Sequence, residues 1–161
     1  MNQEDKELLL KDLCTRLPYH CRVFYEYVDD LDNKTYGYSL TLNTWCIDEF
    51  VANKAVIKPY LRPMDSMTEE EIDILKSKCF HSETEEDWEH VRSDVWGIQI
   101  LDKYDTRRWD NTIYVSTINM SAIDWLNANH FDYRGLIPKD LAIAVTKENN
   151  PYKEIRYETR R

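Results

Sequence analysis

Three glycines in 161 residues are too few for a Gly-rich phosphate loop or for an all-β fold built on tight turns. The sequence has no G-x-S-x-G, no P-loop and no dinucleotide fingerprint, so three common routes to catalysis lack their signatures. No apolar run is long enough to span a membrane. No apolar stretch follows a basic N-terminal start, so a secretory signal is not expected. Cys14, Cys21, Cys46 and Cys79 form no C-x-x-C pair, and buried, reduced thiols in a cytoplasmic protein are the expectation. There is no internal repeat and no low-complexity linker.

What is present is aromatic and acidic. Eleven tyrosines and five tryptophans point to a packed core, since disordered chains are poor in aromatics. They also exceed what a core of this size needs. Tyr and Trp dominate interface hot spots because they offer rigid area with a polar tip, so an interaction surface is expected. The net charge is −9. Between Asp65 and Asp94, eleven acids face three bases, and the rest of the chain carries 19 acids against 18 bases. The acidity therefore belongs to one segment. Such a field repels phosphate backbones, so direct nucleic-acid binding is not expected. The same segment offers two readings. Its acids are a solvated helix face, or Glu83, Glu85, Glu86 and Asp87 are an acidic surface mimicking nucleic acid.

The length suits one domain, placed at residues 1–147, with residues 148–161 as a frayed basic tail. Glu4 to Arg16 reads as a helix with Leu8, Leu9, Cys14 and Leu17 inward, Leu10 and Leu13 widening the stripe, Asn2 or Asp5 as cap and Pro18 as its end. Cys21–Val28 and Thr35–Leu42 alternate on either side of a polar loop and predict a hairpin. Tyr36, Tyr38, Leu40 and Leu42 share one face, expected to meet the first helix at Leu40 and Leu42. Thr44–Asn53 is a candidate short helix. Ala55–Leu61 reads as a strand that Pro59 demotes to an edge or connector. Thr68 with Glu71 predicts a capping box, with Ile72, Leu75 and Cys79 as the inner stripe. His81–Asp94 reads as loop or short helix, Val95–Leu101 and Asn111–Thr117 as strands, and residues 102–110 as the linker between them. Ser121–Phe131 reads as a helix capped by Ser121 and stopped by Gly135 in left-handed geometry. Leu141–Val145 is the last strand. The expected fold is α+β: a mainly antiparallel sheet with about three helices packed on one face.

Two clusters stand out as candidate sites. Tyr60, Leu61, Arg62 and Met64, stiffened by Pro59 and Pro63, form either a preordered interaction anchor or plain packing. His130, Asp132, Tyr133 and Arg134 offer a base, an orienter and an anion clamp, or else the polar framework of a helix end. The second cluster keeps a small-molecule binder or hydrolase open as an alternative. Cys79, His81 and His90 lack a fourth zinc ligand nearby, and the acids lack a calcium-loop pattern, so no metal and no cofactor are expected.

Three phrases carry a resemblance. They are Asp12-Leu13-Cys14-Thr15-Arg16-Leu17-Pro18-Tyr19; Lys58-Pro59-Tyr60-Leu61-Arg62-Pro63-Met64 running into Ser66-Met67-Thr68-Glu69-Glu70-Glu71; and Asp124-Trp125-Leu126-Asn127-Ala128-Asn129-His130-Phe131-Asp132-Tyr133-Arg134-Gly135-Leu136-Ile137. In wording and order they resemble small, uncharacterised proteins of gut Bacteroidales genomes, often in phage or prophage regions. The resemblance implies no catalytic or ligand-binding residue. It implies an accessory protein that acts by contact with a host or phage protein, rather than an enzyme.

Overall fold

The computed structural model describes residues 1–79, 90–94, 97–101 and 120–153. Within them a four-stranded sheet runs in the order β2-β1-β3-β6, where β1 is Arg22–Val28, β2 Thr35–Thr41, β3 Ala55–Leu61 and β6 Ile143–Ala144. The β1–β2 and β1–β3 pairs are antiparallel and the short β3–β6 pair is parallel, so the α+β class holds with a mixed, mostly antiparallel sheet. A separate hairpin joins β4 (His90–Asp94) to β5 (Gly97–Leu101) beside the 3-10 turn Met64–Ser66. Four helices accompany them: α1 Gln3–Arg16, α2 Thr44–Val51, α3 Glu69–Cys79 and α4 Met120–Ala128. No helix among the described residues is long and apolar enough to cross a membrane.

The helices do not all lie on one sheet face. Leu9 and Leu13 of α1 and Cys46 and Phe50 of α2 pack on Val23, Tyr25, Ile57 and Leu61 of the sheet. By contrast α3 and α4 pack on each other around Leu75, Ala122, Leu126 and Phe131, closed by Met64 and Met67. The hydrophobic pattern shows which stripe of a helix is buried but not what covers it, so the expected single layer becomes two clusters.

Local chemistry explains most element ends. The Asn2 carboxamide accepts the Asp5 N–H at 2.7 Å and caps α1. Pro18 falls in the 3-10 turn that ends the helix. The inner stripe of α1 is Leu9, Asp12, Leu13 and Arg16, whereas Cys14 faces out. The Asn43 carboxamide caps α2 through the Cys46 N–H at 3.1 Å. At α3 the capping box is complete: the Thr68 hydroxyl accepts the Glu71 N–H at 3.2 Å, and the Glu71 carboxylate accepts the Thr68 N–H at 2.9 Å.

The third strand is central rather than an edge. Val23 to Tyr27 of β1 pair with Ala55–Pro59 on one side, and β6 pairs with Tyr60 and Leu61 on the other. The Leu61 carbonyl accepts the Val145 N–H at 2.8 Å, so backbone groups two residues earlier, at Pro59, point to the same side. There β6 has not yet begun, and the missing proline N–H leaves no ladder partner unsatisfied. Residues 90–94, expected as loop or helix, form a strand whose backbone register pairs Val91 with Ile100 and Ser93 with Ile98. The predicted segments 81–89, 102–110 and 111–117 lie outside the described residues, as does the tail from residue 154.

Helix α4 begins at Met120, so Ser121 lies inside its first turn and not at the cap. Its end is a Schellman motif: the Phe131 N–H reaches the Leu126 carbonyl at 2.9 Å and the His130 N–H the Asn127 carbonyl at 3.1 Å. The left-handed residue that ends the helix is therefore His130 (φ 59°), and Gly135 (φ 68°) belongs to a separate turn beyond it. Phe131 fixes this choice, because its ring packs in the same cluster as Leu126.

The expected tail is anchored where it begins. The Tyr152 hydroxyl accepts the Arg22 N–H at 3.1 Å and donates to the Tyr60 carbonyl at 2.7 Å. Val23 pairs with Pro59, so Arg22 and Tyr60 would be the next rung, and the phenol replaces it. Burial pushes the Cys21 thiol beside this phenol up to about 11. Removing the hydroxyl with Tyr152→Phe orphans two backbone groups, so urea denaturation should show a loss of about 1–3 kcal/mol. An unchanged midpoint would mean that water takes over the rung.

Candidate functional site

The three sequence phrases meet in space around one buried ion pair. Asp12 and Arg16, four residues apart on α1, are both fully buried, with Arg16 Nε 2.6 Å from Asp12 Oδ2. Arg16 Nη2 donates to the Phe131 carbonyl at 2.8 Å, tying α1 to the end of α4. Arg134 Nε lies 3.3 Å from Asp12 Oδ1. Both guanidiniums lie over the Tyr133 ring, Arg16 at 5.6 Å and Arg134 at 4.8 Å from its centre. Burial works against the Arg16 charge, but the adjacent Asp12 carboxylate outweighs it and leaves the pKa raised.

Arg62 builds the second half of this hub. Its guanidinium makes a bidentate pair with Glu71 at 2.7 and 2.9 Å, and stacks 4.1 Å from the centre of the Phe131 ring. The bond from Arg62 holds the Glu71 carboxyl below its usual range. One carboxylate thus caps α3 and fixes Arg62. The Arg62 backbone donates to the His130 carbonyl at 2.8 Å and accepts the Asp132 N–H at 2.9 Å. Tyr19 closes the first phrase onto the third through Asp124 at 2.9 Å.

Both candidate clusters lie within this framework. Tyr60, Leu61 and Met64 are buried, and Arg62 is spent on Glu71 and Phe131, so this segment packs and presents no exposed anchor. Asp132 accepts the Leu136 and Ile137 N–H groups at 2.8 and 2.7 Å, a turn cap. Burial pushes its carboxyl up, against the pull of those bonds. The Tyr133 hydroxyl donates to Asn127 at 3.1 Å. Arg134 belongs to Asp12. Asp132 and Tyr133 are thus bound up in framework, and Arg134 is held there by its charge, its buried Nε making no hydrogen bond among the described residues.

His130 is the exception. It borders a shallow depression of about 650 Å3, together with Arg62, Lys147, Asn150, Tyr152 and Lys153. Asp132, Tyr133 and Arg134 do not line it. The His130 ring stacks on Tyr152 at 4.1 Å and 10°. Burial, helped by Arg16, Arg62 and His20, pushes its imidazole down to about 4. No group of three or more His, Cys, Asp or Glu among the described residues converges on a metal-sized site. The proposed acidic surface at Glu83, Glu85, Glu86 and Asp87, and the side chains of Cys79, His81 and His90, lie outside the described residues.

The exposed aromatic surface lies elsewhere, on the β1–β2 hairpin. The register sets Tyr25 opposite Tyr38 and Tyr27 opposite Tyr36, all on the face that carries α1 and α2. Their rings are contiguous: Tyr25–Tyr38 at 5.4 Å, Tyr25–Tyr27 at 5.7 Å and Tyr27–Tyr36 at 5.8 Å. Trp45 of α2 stacks on Tyr25 at 4.9 Å. Tyr25 is buried, and burial, with Glu49 beside its hydroxyl, pushes it up to about 12. Leu42 is buried and Leu40 packs on the core as expected, but the helices stop short of the rest of that face. Tyr36, Tyr38 and Trp45 remain 41, 45 and 46% exposed. The outer edge of β2 has no strand partner among the described residues. Its seven residues, Thr35-Tyr36-Gly37-Tyr38-Ser39-Leu40-Thr41, carry no charge.

Sequence reasoning missed the ion pair and the aromatic surface for different reasons. Asp12 and Arg16 stand three and seven residues after Leu9, so helical spacing already put them on the buried stripe. The aromatic face was visible in the alternation, but its exposure depends on how far α1 and α2 extend over the sheet. No family model, no curated protein and no solved structure matches the chain.

Two outcomes follow from the hub. Truncating one partner, as in Arg16→Ala, leaves a buried unpaired charge and should cost about 3–5 kcal/mol in chemical denaturation. The double replacement Asp12→Leu with Arg16→Met should cost much less. His130 has a folded pKa depressed from 6.5 to about 4, so the unfolded chain binds its proton first as pH falls. Its contribution is complete above 6.5 and lost on descending to about 4. His130→Asn tolerates left-handed backbone and does not titrate, so its melting temperature should fall less than that of the wild type across this window.

Proposed function

We propose that this chain is a non-enzymatic protein-binding module of the phage-accessory kind that its sequence phrases resemble. It binds through the aromatic edge formed by β2 and Trp45. One observation carries the reading: a row of touching aromatic side chains stays partly exposed beside an uncharged strand edge that has no strand partner among the described residues. Native proteins normally guard such edges with charge, proline or a bulge. A rigid aromatic surface next to free backbone groups is what strand-addition partners and interface hot spots use. Asp132 and Tyr133 are occupied by framework hydrogen bonds and Arg134 is paired with Asp12, which weighs against a hydrolase there. In the described part of the acidic segment, Glu71 caps α3 and binds Arg62, which supports a helix-start role over mimicry.

The test is capture from nuclease-treated bacterial lysate at low and high salt. It compares the wild type, a Tyr36→Ala/Tyr38→Ala/Trp45→Ala variant, and a variant with Glu83, Glu85, Glu86 and Asp87 changed to Lys. The expected result is a partner that survives high salt on the wild type and the acid-reversed chain. It should be lost from the aromatic variant, since interface Tyr and Trp truncations cost about 2 kcal/mol or more each. A partner lost with the acids and kept without the aromatics would replace this reading with nucleic-acid mimicry.

A further inference from the structure

The occupant of the β2 edge can be argued from the strand itself, resting on the protein-binding reading above. The Leu42 N–H donates to the Cys21 carbonyl at 2.8 Å and the Asp29 N–H to the Lys34 carbonyl at 2.9 Å, at the two ends of the β1–β2 ladder. Even-numbered residues of β2 therefore turn their backbone groups to β1. Thr35, Gly37, Ser39 and Thr41 turn theirs to the edge that is open among the described residues. We propose that this edge pairs with the β2 edge of a second copy of the chain, antiparallel about a two-fold axis at Tyr38.

The full-length register sets Thr35 opposite Thr41 of the copy, Gly37 opposite Ser39, Tyr36 opposite Leu40 and Tyr38 opposite itself. The parity is correct for this arrangement. The outward-facing residues meet in hydrogen-bonded pairs, and Tyr38 falls in the closer, non-hydrogen-bonded position. No charge opposes a like charge, because the excess acidity of the chain lies in residues 65–94 and not on this strand. On the helix-bearing face the two aromatic rows become one.

The opposite face supplies charge complementarity. Arg22 reaches across β2, donating to the Thr41 hydroxyl at 3.1 Å and to the Ser39 carbonyl at 3.2 Å. Its guanidinium thus already lies at the open edge. Glu26 stands beside Gly37 in the register and has no ion-pair partner among the described residues. Gly37 of the copy would face Ser39, with Glu26 of the copy just behind it. Two strand spacings, about 10 Å, separate Ser39 from that residue, and the two long side chains close the gap from either side. Gly37 presents no side chain of its own there, only the Phe24 ring lying over it. The two-fold axis makes the Arg22–Glu26 contact twice.

The test is sedimentation velocity on the full chain over about 1–300 μM, a range that brackets weak to moderate dimers. Tyr38 is exposed, so Tyr38→Lys and Tyr38→Glu should fold, which circular dichroism checks. The wild type should shift to a dimer with concentration. Each variant alone should be weakened at least about tenfold, because like charges then meet directly across the axis. An equimolar mixture of the two should recover the dimer. A wild type that stays monomeric throughout, a variant that dimerises like the wild type, or a mixture that fails to recover would each overturn the self-pairing. A monomeric wild type whose protein partner is lost on Tyr38→Lys would overturn the self-pairing alone and leave the protein-binding reading intact. A Tyr38-dependent dimer whose lysate partner is indifferent to the aromatic residues would do the reverse.

Discussion

The described structure depends on a charge taken out of water at Arg16. A guanidinium buried beside Leu9 and Leu13 is tolerable only with an ionised partner, and Asp12 supplies it one helical turn away. The remaining donor capacity then dictates what must come close. Arg16 binds the Phe131 carbonyl, and Asp12 draws in Arg134. That carbonyl is available because the Schellman turn at His130 ends α4 one residue earlier. The helix pair α3–α4 is thereby fastened to α1 by polar contacts, whereas α1 and α2 meet the sheet mainly through apolar packing.

The same logic separates framework from surface. Glu71 serves a helix cap and a bidentate arginine at once, and Asp132 caps a turn with both oxygens. Tyr152 completes a β-ladder with one hydroxyl. Side chains that look reactive in the sequence are consumed by backbone groups that would otherwise be buried unpaired. What remains open among the described residues is a strand edge that no other strand pairs with and whose exposed side chains include aromatic ones. Among the described residues the exposed aromatic chemistry lies in the β1–β2 hairpin and Trp45, away from the three phrases.

Local signals were legible where a few neighbouring residues decide the outcome. The hairpin from Cys21 to Leu42, the Asn2 cap and the Thr68–Glu71 box all follow from spacing alone. Signals failed where a distant element decides. Pro59 reads as an edge residue until β6, some eighty positions later, proves too short to need its N–H. Gly135 reads as a helix stop until Phe131, packing on Leu126, fixes the turn at His130 instead. Tyr152 reads as part of a loose tail because nothing near it in sequence shows the open rung at Arg22 and Tyr60. The site calls for the same distinction: residues 60–64 and 130–134 were recognisable as special, but their role is set by Asp12, Arg16 and Glu71.

Residue-resolved amide exchange along β2 tests the central claim most directly, because it reads the edge itself. At low protein concentration, the Tyr36, Tyr38 and Leu40 amides should exchange slowly and those of Gly37, Ser39 and Thr41 fast, since only the former bond to β1. Raising the concentration should slow the second set and leave the first unchanged. Uniform protection across β2 at every concentration would show that its edge is already covered and would contradict the account.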